Sequence, residues 1–126
     1  RGERVTLPDG TAVEPQQVLG APRRGCKVVY CTDTRPCPNA MELARDADLL
    51  IYEGTFDHCL AARAWGKGHS TVVQAAEIAR AAGVKRLLLT HISPRYEDAA
   101  MLQQQAAAVF PHVLIAEDLL EVPLRD

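Results

Sequence analysis

TVVQAAEIARAAGVKRLLLTH, residues 71–91, decides the fold. Thr71 followed by Gln74 is a capping-box pattern, in which each side chain takes a backbone N–H at the start of a helix. Val72, Ala75, Ala76 and Ala79 then recur on one helical face. Gly83 is a natural helix stop. Beyond it, Val84 to Leu89 reads as a short buried strand, with His91 just past its end. A capped amphipathic helix feeding a buried strand belongs to a layered α/β domain.

The same grammar extends outward on both sides. Lys27 to Tyr30 and Asp48 to Glu53 read as strands, and Asn39 to Arg45 as a helix with Asn39 at its N-cap. Asp98 to Val109 is a second amphipathic helix ahead of Pro111, and Val113 to Ala116 and Leu119 to Leu124 read as closing strands. Near the start, Arg4 to Leu7 and Thr11 to Val13 flank Asp9-Gly10, a hairpin signal. In such sheets functional groups gather beyond the carboxyl ends of the strands, and Asp33 and His91 both lie there.

The chain has 126 residues, 48% of them hydrophobic, enough for one domain with a modest core. Its net charge of −2 creates no global positive field toward nucleic acid or membrane. Arginine outnumbers lysine, which is confined to Lys27, Lys67 and Lys85. That bias suits bidentate phosphate contacts, and equally suits a codon preference. Cys26, Cys31, Cys37 and Cys59 lack the C-x-x-C spacing of a zinc ribbon, so buried, reduced thiols are expected. With no signal peptide and no apolar run near the roughly 18 residues of a membrane helix, the expectation is a cytoplasmic protein without membrane contact. The opening Arg1-Gly2-Glu3-Arg4, without methionine, suggests a fragment of something longer.

Asp33, between Thr32 and Thr34, can bind one metal ion or bridge two; it can equally be a turn aspartate bonded to backbone amides. His91 is placed to ligate zinc through one nitrogen while a neighbour fixes the other, against the plainer reading of a hydrogen-bonded loop histidine. His69 lies in a glycine-containing loop (Gly66, Gly68) before the capped helix, where an anion is favoured and an imidazole could protonate a leaving oxygen. A mobile surface histidine is the alternative. Glu53, at a strand end, could orient that imidazole or be merely solvated. Arg35 and Arg95 each adjoin a proline and could clamp phosphate oxygens, or be ordinary surface arginines. His58 and His112 read as structural or exposed.

Together these segments resemble the carboxyl-terminal half of the ribonuclease Z (tRNase Z) family, tRNA 3′-processing endonucleases of the metallo-β-lactamase fold. The resemblance runs from about Lys27 to Glu121 and rests on D-T-R-P (Asp33 to Pro36), E-x-T-F (Glu53 to Phe56), G-H-S-T (Gly68 to Thr71) and T-H-I-S-P-R-Y (Thr90 to Tyr96). It implies an α/β fold, the carboxyl-terminal half of a four-layer αββα sandwich, with residues 1–126 forming that portion of one domain. It assigns Asp33 as the aspartate bridging two zinc ions and His91 as a ligand completing one site. It assigns His69 to proton transfer at the leaving 3′-oxygen, supported by Glu53. Arg95 falls where the family contacts the tRNA acceptor end; Ser70 and Thr71 join Arg35 and Arg95 as substrate-binding candidates.

The resemblance also implies zinc, two ions per active site, a precursor tRNA substrate and a homodimer. The chain departs from the family at Thr32, where glycine is usual, and at Tyr52-Glu53-Gly54-Thr55, where the family has H-E-A-T. The family's H-x-H-x-D-H motif is absent from this chain and would lie in a missing N-terminal half, so the isolated chain is expected to be inactive. A half sandwich would expose a broad apolar face and invite self-association or partner binding. Two other readings stand beside this one. One is another metallo-β-lactamase-fold hydrolase, phosphodiesterase- or arylsulfatase-like; the other is a non-catalytic α/β dimerisation module.

Overall fold

The structure is a computed structural model that describes residues 2–124. A small antiparallel hairpin, β1 (Val5–Thr6) and β2 (Ala12–Val13), turns at Gly10 and is followed by one helical turn, α1 (Pro15–Val18). The main body is β3 (Val28–Cys31), α2 (Pro38–Ala44), β4 (Leu49–Glu53), a 3₁₀ turn at His58–Leu60, α3 (Ala61–Lys67), α4 (Val72–Ala82), β5 (Leu87–Thr90), α5 (Ala100–Ala107) and β6 (Val113–Ile115).

All neighbouring strands of the sheet β3-β4-β5-β6 are parallel. Because the spatial order follows the chain order, right-handed crossovers carry every connecting helix to one face. The sheet packs on α2, α4 and α5 through Val29, Leu50, Tyr52, Leu87, Leu89 and Val113, all buried. Alanines supply most of the helix side of this contact. Ala75, Ala76, Ala79 and Ala82 of α4 and Ala40 and Ala44 of α2 are buried, and side chains this small let the helices approach the larger strand residues. Tyr52 fills the centre; burial pushes its phenol up to about 12.

The pleat sends the alternate residues to the other face, which carries no helix layer among the described residues. There Val28, Tyr30 and Leu114 are exposed, and Ile51 and Leu88 half-buried. This is an α/β layer pair with an open apolar sheet face, the arrangement expected of half a sandwich.

Local signals set α4 as read. Thr71 caps it, with both bonds of the capping box formed, and Gly83 ends it at φ 66°, where a Cβ would be strained. Other readings need correction. The cap of α2 is Cys37, not Asn39, because Pro38 occupies the first helical position, where its missing N–H costs nothing. Leu119 to Leu124 is not a strand: Leu119 sits almost fully exposed at φ 67°, with no neighbouring strand to pair with. Cys26 and Cys59 are exposed rather than buried, while Cys31 and Cys37 are half-buried. No helix among the described residues is long and apolar enough to cross a membrane.

Candidate active site

The carboxyl ends of β3, β4 and β5 converge on one rim. Asp33 follows β3 after a cis Thr32–Asp33 peptide, Glu53 ends β4, and His91 follows β5. The segment after Glu53 is held between two others by backbone bonds. Phe56 N–H donates to Ser70 O and Val72 N–H to Phe56 O on one side. Gly54 N–H donates to Thr90 O and Ser93 N–H to Thr55 O on the other. His69 is brought in by Gly68, which closes α3 at φ 84° and turns the chain so that His69 N–H returns to Ala64 O. His91 itself adopts φ 56°, a left-handed conformation that histidine tolerates better than branched residues do.

Glu53 organises the rim from beneath. Its side chain has no exposed surface, and every contact it makes is with a donor. Oε1 accepts from Thr34 N–H at 2.5 Å; Oε2 accepts from Ser70 N–H at 2.9 Å and from the Thr55 hydroxyl at 2.6 Å. His69 Nδ1 lies 3.2 and 3.1 Å from the two oxygens. A carboxylate cannot donate, so His69 must carry its proton on Nδ1 and present Nε2 outward.

The proton count continues through Thr55. Its single hydroxyl hydrogen is committed to Glu53, so its 2.8 Å contact with His91 Nδ1 must be an N–H donated by the ring. In the neutral ring that leaves a lone pair on His91 Nε2, which lies 3.4 Å from Asp33 Oδ1. With that ring neutral, a nitrogen lone pair and a carboxylate oxygen face each other, a donor set suited to a cation. Asp33, His69 and His91 each offer a ligand atom, all within 4.8 Å of one another. The two imidazoles stack at 5.1 Å between centroids. The hydrogen bond from the Thr32 hydroxyl lowers the Asp33 carboxyl below its ordinary value, against the opposing effect of desolvation. One oxygen and up to two imidazole nitrogens match the donor chemistry of zinc. Three donors are too few for two ions.

The arginines flank this centre. Arg35 lies over the Trp65 ring at 4.9 Å and donates from Nε to Trp65 O at 2.7 Å. Arg95 lies over Phe56 at 4.8 Å and donates from Nε to Ser93 Oγ. Ser70 and Thr71, expected at the substrate, have no exposed surface. The Ser70 hydroxyl donates to Thr34 O, and the Thr71 hydroxyl accepts from Gln74 N–H and contacts His58 Nδ1 at 3.1 Å, so both are spent inside the protein. His58 is thereby structural. His112 is exposed, set edge-on to Phe110.

Two contributors escaped the sequence reading. Thr55 lay inside the E-x-T-F motif without a role, though a hydroxyl two residues from a strand-end carboxylate was the available signal. Trp65 gave no periodic signal in a helix of seven residues.

Residues 5–92 match the sequence model of the family described as beta-lactamase superfamily domain. Ribonuclease Z of Acaryochloris marina is 50% identical over 132 aligned positions, covering 99% of this chain and 42% of that protein. Ribonuclease Z of Salinibacter ruber is 54% identical over 115, covering 91% and 36%. The chain therefore spans less than half the length of these curated relatives. Among solved structures, the short form of human tRNase Z superposes with a TM-score of 0.65 at 30% identity, covering 91% of this chain and 37% of that one. The metallo-beta-lactamase fold protein YhfI of Bacillus subtilis gives a TM-score of 0.65 at 33% identity, covering 71% and 36%. The chain belongs to the beta-lactamase superfamily, and it is similar to ribonuclease Z along nearly its whole length.

Proposed function

We propose that the protein carrying this chain is a zinc-dependent endoribonuclease that removes the 3′ trailer from precursor tRNA and leaves a 3′-hydroxyl on the tRNA. The observation that carries the reading is the buried Glu53 carboxylate, which holds His69 by Nδ1 beside Asp33 and His91. The similarity to ribonuclease Z supports the choice of substrate.

Asp33 and His91 would hold the zinc. Bound zinc supplies charge neutralisation at the scissile phosphate and a more acidic water. His69 is the general acid: as a water oxygen bonds to phosphorus and the bond from phosphorus to the ribose 3′-oxygen breaks, its outward Nε2 delivers a proton to that oxygen. Glu53 steadies the charged ring before that transfer and keeps Nδ1 from turning outward. The phosphate stays on the trailer as its 5′-phosphate. Arg35 and Arg95 offset phosphate charge on either side of the cleavage point.

Residues 1–126 are read as the carboxyl-terminal portion of the domain, with the remaining zinc ligands on an H-x-H-x-D-H motif elsewhere in the protein. On this reading the isolated chain is inactive, the protein works in the cytoplasm as a homodimer, and the open sheet face is covered in the complete molecule.

The test is cleavage of a trailer-bearing precursor tRNA by the full-length protein with zinc and with chelator. Zinc-dependent release of a 5′-phosphorylated trailer is expected. Turnover of small phosphodiesters or aryl sulfates with the precursor left intact would favour the other hydrolase reading. A full-length protein that binds no metal would favour the dimerisation module.

A further inference from the structure

We infer that Trp65 is a stacking platform for a nucleobase of the RNA strand, held at the rim of the site by Arg35. The inference rests on the ribonuclease reading above and concerns a residue outside the hydrolytic groups. Trp65 is the sole tryptophan of the chain, and it is 55% exposed. Burying an indole is worth a few kcal/mol, and Tyr52 and Phe56 are buried. A ring left in water at this place is poised for a ligand or partner.

Its position ties it to the chemistry. Trp65 stands one helical turn before His69, and its carbonyl accepts both Gly68 N–H at 3.2 Å and Arg35 Nε–H at 2.7 Å. Arg35 in turn is two residues from Asp33. The guanidinium lies 4.9 Å from the ring centroid, so the stack that carries Trp65 also fixes Arg35 beside the Asp33 loop.

The surroundings select the ligand class. The cation set against the ring is Arg35, in a chain of net charge −2. An exposed aromatic ring paired with an arginine is how single-stranded nucleic acid is held: the base stacks and its backbone meets the charge. An apolar protein partner would have to desolvate the Arg35 guanidinium without pairing it. Every base has a π-face, so Trp65 contributes affinity and register rather than base identity.

The experiment uses the full-length protein, its W65A and W65F variants, a trailer-bearing precursor tRNA, and two single-stranded oligonucleotides of equal length, one abasic. Stacking predicts that W65A raises KM for the precursor about 5- to 100-fold, with the loss in KM rather than kcat, and that W65F recovers most of it. It also predicts that the emission lost between wild type and W65F is quenched by the base-bearing strand and not by the abasic one. Equal quenching by both strands overturns the platform. So does an unchanged KM in W65A that melts at the wild-type temperature, or a change in oligomeric state caused by W65A. A wild-type protein that cleaves no RNA overturns instead the reading beneath it.

Discussion

Glu53 Oε2 and His69 Nδ1 lie 3.1 Å apart, the carboxylate without exposed surface and the imidazole side chain 21% exposed. One end of the ring is therefore fixed in the protein while the other faces the rim. That polarity separates His69 from His91, whose inner nitrogen meets a hydroxyl instead of a carboxylate. Two stacked imidazoles thus differ in what stands behind them. Of the two, His69 has its inner N–H held by a buried carboxylate, which leaves its Nε2 directed to the rim for proton transfer.

His69→Ala in the full-length protein is expected to lower kcat on precursor tRNA by about 10²- to 10⁴-fold, the range for loss of a positioned acid. Zinc content is expected to stay at the wild-type value, measured by elemental analysis after dialysis. Loss of an equivalent of zinc would move His69 from the acid to the ligand set, which its closeness to Asp33 and His91 also permits.

Thr55→Val removes the only hydroxyl between Glu53 and His91. It leaves Oε2 of Glu53 one donor short and His91 Nδ1 without its acceptor. Zinc affinity should fall about 10- to 100-fold by calorimetric titration, the usual consequence of losing a partner behind a ligating histidine. Thr55→Ser, which keeps the hydroxyl, should bind zinc nearly as the wild type does. Equal affinity in all three proteins would show that the relay has no influence on the metal.

The readable parts of this molecule were those set by neighbours in the chain. Thr71, Gln74 and Gly83 bound α4 through bonds spanning three or four residues, so the sequence carried the helix whole. His91 was legible as a strand-end residue for the same reason. Glu53 was not legible as a buried group. Its desolvation is met by the adjacent Thr55 and by donors from Thr34 and Ser70, on two segments that only the folded sheet brings to it. The same lack of local information hid α3, which has no side-chain cap and is seven residues long. It also misled the reading of Leu119 to Leu124, where apolar residues suggested a strand that has no edge to join.

At the opposite, amino-terminal end of the strands, Asp48 accepts from Lys27 N–H and from Lys85 Nζ, both at 2.8 Å. The Lys85 hydrogen bond, then that of the Lys27 amide, lowers its carboxyl from 3.8 to about 2. A carboxyl depressed on folding stabilises the native state fully above its unfolded value of 3.8 and loses that contribution as pH falls through about 2. Asp48→Asn should therefore lower the melting temperature near neutral pH, with the gap from wild type closing across that acid window. A gap that stays constant with pH would show that the ion pair contributes nothing to stability.

Gly54 stands where the family places alanine, and the packing around it explains the difference. A Cβ built there would lie 2.8 Å from Val72 Cγ1 and 3.2 Å from Leu89 Cδ2, both inside the core. Gly54→Ala should therefore destabilise by about 1–3 kcal/mol, the usual cost of overpacking, as read from denaturant unfolding. Val72→Ala deletes the nearer obstacle and opens a void that the added methyl can partly occupy. Made together, the two substitutions should cost less than the sum of the single changes by about 0.5–3 kcal/mol, the range for residues in contact. Val72 N–H also donates to Phe56 O, so a displaced Val72 disturbs the strap that sets Ser70 against Glu53. The single variant should accordingly lose activity that the double variant regains. Strict additivity in stability would mean that Val72 does not limit the space at Gly54, and that the glycine is there for another reason.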